Sequence, residues 1–247
     1  MLENIASLLF LFLPVFLLGI LIEKIKISEK ILKLSLAFSA AYLLTLSLSH
    51  LLPQLFSDGS KIGGWFILTG FFIQLFLEFF STGIEHGHVH LHTKNHQSAL
   101  PTALFFGLFI HSFLEGIPVS SFVNSIHNDG ILTMRNSLII GIVLHNIPVT
   151  VALVTLLKSH EVSRIKFLLI LILFALMAPL GSLFGNILEI MNFGNIDLII
   201  RFSLGVVIGI FLHISTTIMF ENSENHRYNY QKLISIVMGV LMACMLS

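Results

Sequence analysis

Hydrophobic and polar positions alternate along this chain in long blocks. Eight apolar runs, at 5–22, 31–52, 62–82, 100–123, 136–157, 165–189, 197–220 and 232–246, are separated by short clusters of charged and polar residues. Most of these runs are long enough for a helix to cross the ~30 Å hydrocarbon core of a bilayer; the last is short. No period-2 pattern of a barrel strand appears. Backbone groups in lipid must be satisfied within their own segment, so the runs predict helices. The expected fold is all-α, a polytopic membrane protein of eight transmembrane helices in one domain over 1–247.

Composition agrees. The chain is 55% hydrophobic and 11% charged, against roughly 25% charged in a soluble domain. Its formal net charge is zero, which leaves no case for nucleic-acid binding. Cys244 is the sole cysteine, so an internal disulfide and a cysteine-based metal cluster are excluded. Glu3, rather than a basic segment, precedes the first run and no small-residue cleavage site follows it. That run is expected to be a retained helix, not a signal peptide.

The basic residues set an orientation. Segments after the odd-numbered runs, with the adjoining helix ends, hold Lys24, Lys26, Lys30, Lys33, Lys94, Lys158, Arg164, Lys166, Arg227 and Lys232. The opposite side holds Lys61, Arg135 and Arg201. Ten against three makes the odd-numbered loops cytoplasmic. Both termini then face outward, across the inner (plasma) membrane in a bacterial host.

Ionisable residues inside apolar runs are the candidate chemistry. The fourth run carries His111 and Glu115, one helical turn apart on one face, followed by Pro118. No Lys or Arg in that run neutralises Glu115. A lone carboxylate at membrane depth costs at least ~2.5 kcal/mol, so it should face a partner, water or an ion. The fifth run repeats the pattern with His145, Asn146 and Pro148. A proline leaves the carbonyl four residues back without its helical donor. Loosened turns with freed carbonyls are where transporters place ion sites. Three ionisable residues, each near a proline, favour an ion site over the structural reading, in which prolines kink helices and histidines bond between them.

Other polar positions are less decisive. His50, before Pro53 at the outer end of the second run, reads equally as a ligand at the mouth or as an interfacial histidine. Glu78, in a phenylalanine-rich stretch, is expected to snorkel to the interface. His213, deep in the seventh run, lines a path or bonds to a serine across the bundle. Glu189 should be solvated at an outer end, and the sixth run holds a further kink at Pro179. The loop 83–99 carries Glu85, His86, His88, His90, His92 and His96. Alternating histidines in a flexible cytoplasmic loop suit zinc-like cations, captured weakly and exchanged quickly, as in a buffer or sensor.

Together these residues resemble the Zrt/Irt-like (ZIP) family of divalent-metal transporters, over essentially the whole chain. His111-Ser112-Phe-Leu-Glu115-Gly116 is similar to the family's H-[NS]-x-x-[DE]-G. His145-Asn146-Ile-Pro148 partly matches its H-[DE]-x-P-[EH]. Softer similarities are His50-Leu-Leu-Pro53, Ala178-Pro179-Leu-Gly181 and the Gly209-to-His213 segment. The resemblance implies a 3+2+3 bundle, with spans 4 and 5 flanked by two inverted three-helix repeats. It implies a first metal site of His111, Glu115 and His145, and a second of Ser112, Glu115 and Asn146. The family's fourth ligand is Val149 here, both span-5 carboxylates are gone, and Ala178 stands where an acid sometimes precedes the span-6 proline.

Two imidazoles and one carboxylate, completed by water, still make a zinc site. Fewer anions weaken hard, oxygen-seeking cations more than zinc. The expected function is therefore divalent-metal uptake, zinc first, with Fe2+, Mn2+ and Cd2+ open, one ion per cycle, and a rate that falls as pH drops through the histidine range. The implied partners are the cation and the lipid bilayer, with a homodimer left open. The rival is a non-transporting metal sensor or scaffold that kept the fold. An enzyme is not expected: there is no HExxH, and Gly181-Ser182 has no base beside it in sequence.

Overall fold

The computed structural model describes residues 2–25, 27–57, 59, 61–81, 102–121, 134–191, 195–220 and 230–246. Among them there are helices and connecting turns and no strands. The helices are α1 (Leu2–Lys24), α2 (Glu29–Leu46), α3 (Gly63–Ser81), α4 (Thr102–Gly116), α5 (Met134–Ser159), α6 (Arg164–Ile190), α7 (Ile196–Phe220) and α8 (Tyr230–Leu246). Seven segments are long and apolar enough to cross a membrane. The eighth, Tyr230–Leu246, has 17 residues, a rise of about 26 Å.

Helix ends follow local chemistry. Ser28 caps α2 in extended conformation and its side chain accepts from the Ile31 N–H, satisfying one of the orphan donors of a helix start. Glu29 follows in the first turn, where the helix dipole favours an acid, and Lys33 one turn on pairs with it.

Two spans differ from expectation at their prolines. The second does not stop at 52: α2 passes through a π-helical turn, Ser47–Leu51, into a further helical turn, Leu52–Leu55. Pro53 cannot donate to the carbonyl four residues back, and the turn before it widens to i→i+5 bonding, with the Leu52 N–H on the Ser47 carbonyl. The fourth span is not one helix over 100–123. It ends at Gly116, closes with a tighter Ile117 N–H bond to the Leu114 carbonyl, and restarts as Pro118–Ser121. Residues 122–133 lie outside the described residues. In contrast, α5 runs unbroken through Pro148. α1 and α6 likewise run unbroken through Pro14 and Pro179.

The packing carries a hidden two-fold pattern. Helix α3 packs on α7 and α2 on α8; α4 packs on α6 and α1 on α5. Exchanging α1 with α6, α2 with α7, α3 with α8 and α4 with α5 turns each of these contacts into another of them. The contacts α1/α6 and α2/α7, also present, map onto themselves. Exchanged helices are an odd number of crossings apart, so they run in opposite directions. This is the 3+2+3 inverted arrangement. Two contacts break the pattern: α3 lies against α4 far more extensively than α8 lies against α5, and α2 lies against α5 more extensively than α4 lies against α7.

Three of the crossings bring backbones together; on the α2/α8 side a Cβ on Gly239 would stand 2.3 Å from the Phe38 carbonyl oxygen. A Cβ on Gly70 of α3 would stand 2.0 Å from the Val206 carbonyl oxygen of α7, and one on Gly209 would stand 2.1 Å from that of Ile67. On the α4/α6 side, a Cβ on Gly181 would stand 2.0 Å from the Phe113 carbonyl oxygen. Small residues at such points replace the hydrophobic drive that lipid cannot supply with close van der Waals contact.

Candidate metal centre

His111 and Glu115 lie on the last turns of α4, on the face turned towards α5 and α3. Their i,i+4 spacing brings His111 Nε2 to 3.2 Å from Glu115 Oε1. His145 of α5 meets them edge to face, its ring centroid 5.7 Å from that of His111 at 78°. One ligand atom from each of the three lies within 4.8 Å of the others. Among the described residues this is the one cluster of at least three His, Cys, Asp or Glu able to hold a metal. All three side chains are fully buried, at 0% exposure.

The dimensions suit a small cation. A tetrahedral zinc site with ligand bonds of ~2.1 Å has ligand–ligand edges of about 3.4 Å. The 3.2 Å edge between His111 and Glu115 already has that length. A gap of 4.8 Å closes with a modest rotation of one side chain.

A residue that sequence reasoning passed over completes the site. Gln74 of α3 is fully buried, and its Oε1 lies 2.9 Å from His111 Nδ1. Gln74 sits in the same kind of apolar run as the histidines and one turn before Glu78. The rule that found His111, an ionisable side chain deep in an apolar run, reaches Gln74 once it is widened to any polar side chain.

The other expected ligands are placed as follows. Ser112 and Asn146 are buried beside the cluster at 1% and 2% exposure. The Asn146 Oδ1 accepts no hydrogen bond among the described residues. Thr150 turns its hydroxyl back to the Asn146 carbonyl at 2.6 Å. Val149 and Ala178 are buried in the apolar core. His50 stands apart, half-buried in the π-helical turn with the Ser49 hydroxyl 2.6 Å from its Nδ1. His86, His88, His90, His92 and His96 lie outside the described residues.

Two further polar residues meet between α3 and α7. The Glu78 Oε2 lies 3.5 Å from His213 Nε2. His213 thus meets an acid, with the Phe71 ring edge-on at 4.8 Å. The reason is geometric: the glycine crossing of α3 and α7 draws the two helices close enough for these side chains to meet.

Comparison with known proteins bears on the same helices. The family model of the ZIP zinc transporter matches residues 96–247, which takes in α4 to α8. The match thus includes His111, Glu115 and His145, and leaves α1 to α3, with His50 and Gln74, outside it. A search among curated proteins finds no match. More than half of the chain is matched, and seven of its segments are long and apolar enough to cross a membrane; the chain belongs to the ZIP family of metal-ion transporters, integral to the membrane.

Proposed function

We propose that this protein carries zinc into the cytoplasm, binding one ion per cycle at His111, Glu115 and His145 between α4 and α5. The observation that carries the reading is the convergence of three electron-pair donors in a buried space. Neither Glu115 oxygen accepts a hydrogen bond among the described residues. A buried carboxylate left so poorly served by hydrogen bonds is costly unless a cation joins it. The metal passes His50 on the outer side and sheds most of its water at the cluster. It leaves towards the histidines of loop 83–99, with both termini outside the cytoplasm. Alternating access about α4 and α5 moves it, driven by the metal gradient.

Ser112 and Asn146 border the site and offer neutral oxygens only, so the second site of the family is reduced here to an extension of the first. Two imidazoles with one carboxylate rank zinc above Mn2+ and Fe2+, with Cd2+ as a close competitor. The decisive experiment is zinc flux into proteoliposomes. Glu115→Gln should abolish it, and a variant transporting at the native rate would overturn the role given to Glu115.

Buried Val149 and Ala178 motivate a second reading, a metal-sensing or scaffold protein on the same fold. Metal-dependent flux in the same vesicles excludes it.

A further inference from the structure

We propose that Gln74 is a positioning residue for the metal site: it fixes the tautomer of His111 so that Nε2 offers a lone pair to the ion. The inference rests on the reading that His111, Glu115 and His145 hold the metal.

The argument starts from protons. A neutral imidazole has one N–H and one acceptor nitrogen. The Gln74 Oε1, 2.9 Å from Nδ1, is an acceptor, so the imidazole hydrogen sits on Nδ1. The lone pair is then on Nε2, which faces the Glu115 carboxylate at 3.2 Å. Two electron-pair donors at that distance repel each other, and a cation between them removes the repulsion. With Gln74 reversed, its amide NH2 would donate to Nδ1 and the hydrogen would move to Nε2. His111 would then donate to Glu115, and the pair would close on itself without a metal. The orientation of one buried amide thus separates a metal-receptive cluster from a self-satisfied one. Metal-bound histidines generally have such an acceptor behind them.

Position supports this. Gln74 reaches His111 through α3 against α4, a contact that has no equal between α5 and α8. His145, on the exchanged helix α5, has no equally close α8 behind it.

The test uses full-length protein in detergent with 15N-labelled histidine, at about pH 8, above the usual histidine range. Metal-free protein should show His111 with its hydrogen on Nδ1, its signal assigned by loss in His111→Asn. In Gln74→Leu the hydrogen should shift towards Nε2, where Glu115 is the remaining acceptor. Zinc affinity should fall by ~10–100-fold. Gln74→Glu, which keeps an acceptor in place, should recover most of that loss. Native protein with the hydrogen on Nε2, or equal zinc affinity for native and Leu forms, overturns the proposal. So does an equal loss in the Leu and Glu variants at unchanged melting temperature. Glu115→Gln is measured alongside. Unaltered zinc affinity in that variant removes the site reading itself, whereas the tautomer result on metal-free protein stands or falls separately.

Discussion

Gly116 of α4 and Ala178 of α6 meet backbone to backbone: a Cβ on Gly116 would stand 2.0 Å from the Ala178 carbonyl oxygen. The obstacle is main chain, not the end of a flexible side chain, so a larger residue must push the helices apart. Gly116 directly follows Glu115. Gly116→Ala should therefore lower stability by about 1–3 kcal/mol, in the range of overpacked cores, and displace the carboxylate from the cluster. Thermal unfolding in detergent measures the first effect and zinc flux the second; native values for both would contradict this packing.

His145 supplies the only ligand from α5 in the cluster. His145→Ala leaves one imidazole and one carboxylate, both from α4. Zinc affinity should fall by more than the ~10–100-fold that follows loss of a supporting residue. Competition with a chelating dye on purified protein would read it. A loss below tenfold would place the ion elsewhere.

Val149 is one turn after His145 on α5 and is fully buried. Val149→Glu would return a second carboxylate to the neighbourhood of the site. Added anionic oxygen favours harder cations, so the variant should gain manganese transport relative to zinc. A chain that folds with an unaltered manganese-to-zinc ratio would mean that residue 149 faces away from the ion path.

Tyr42 tests packing apart from function. It is fully buried, and its hydroxyl donates to the Ser137 carbonyl at 3.0 Å, tying α2 to α5. Tyr42→Phe should cost about 1 kcal/mol, the net worth of one hydrogen bond, and leave zinc affinity unchanged. A large loss of affinity would extend the site to α2.

Much of this was legible in the block pattern of the chain, because a bilayer punishes every polar exception. The eight helices and the trio His111, Glu115 and His145 came from that rule alone, and the resemblance supplied the repeat. What escaped was tertiary. Pro118 and Pro148 look alike in sequence, yet one ends its helix and the other lies inside an unbroken one, as Pro14 and Pro179 do. Glu78 turns to His213 because glycines draw α3 against α7, which no local pattern encodes. Gln74 was missed for a different reason: an uncharged amide in a run of phenylalanines drew no attention when charge was the criterion.

The glycine crossings have a mechanical corollary. Where two backbones touch, no layer of side chain remains to slide or compress, so α4 with α6, α3 with α7, and α2 with α8 behave as welded pairs. The seams that can slip are those padded by branched side chains, such as α1 against α5, where Leu11 and Val15 sit in the core. Spin labels on α4 and α6 should hold one separation through every step of the cycle. His111 and Gln74 belong to different welded pairs, so their short bond is a gauge of how far one pair has sheared past the other.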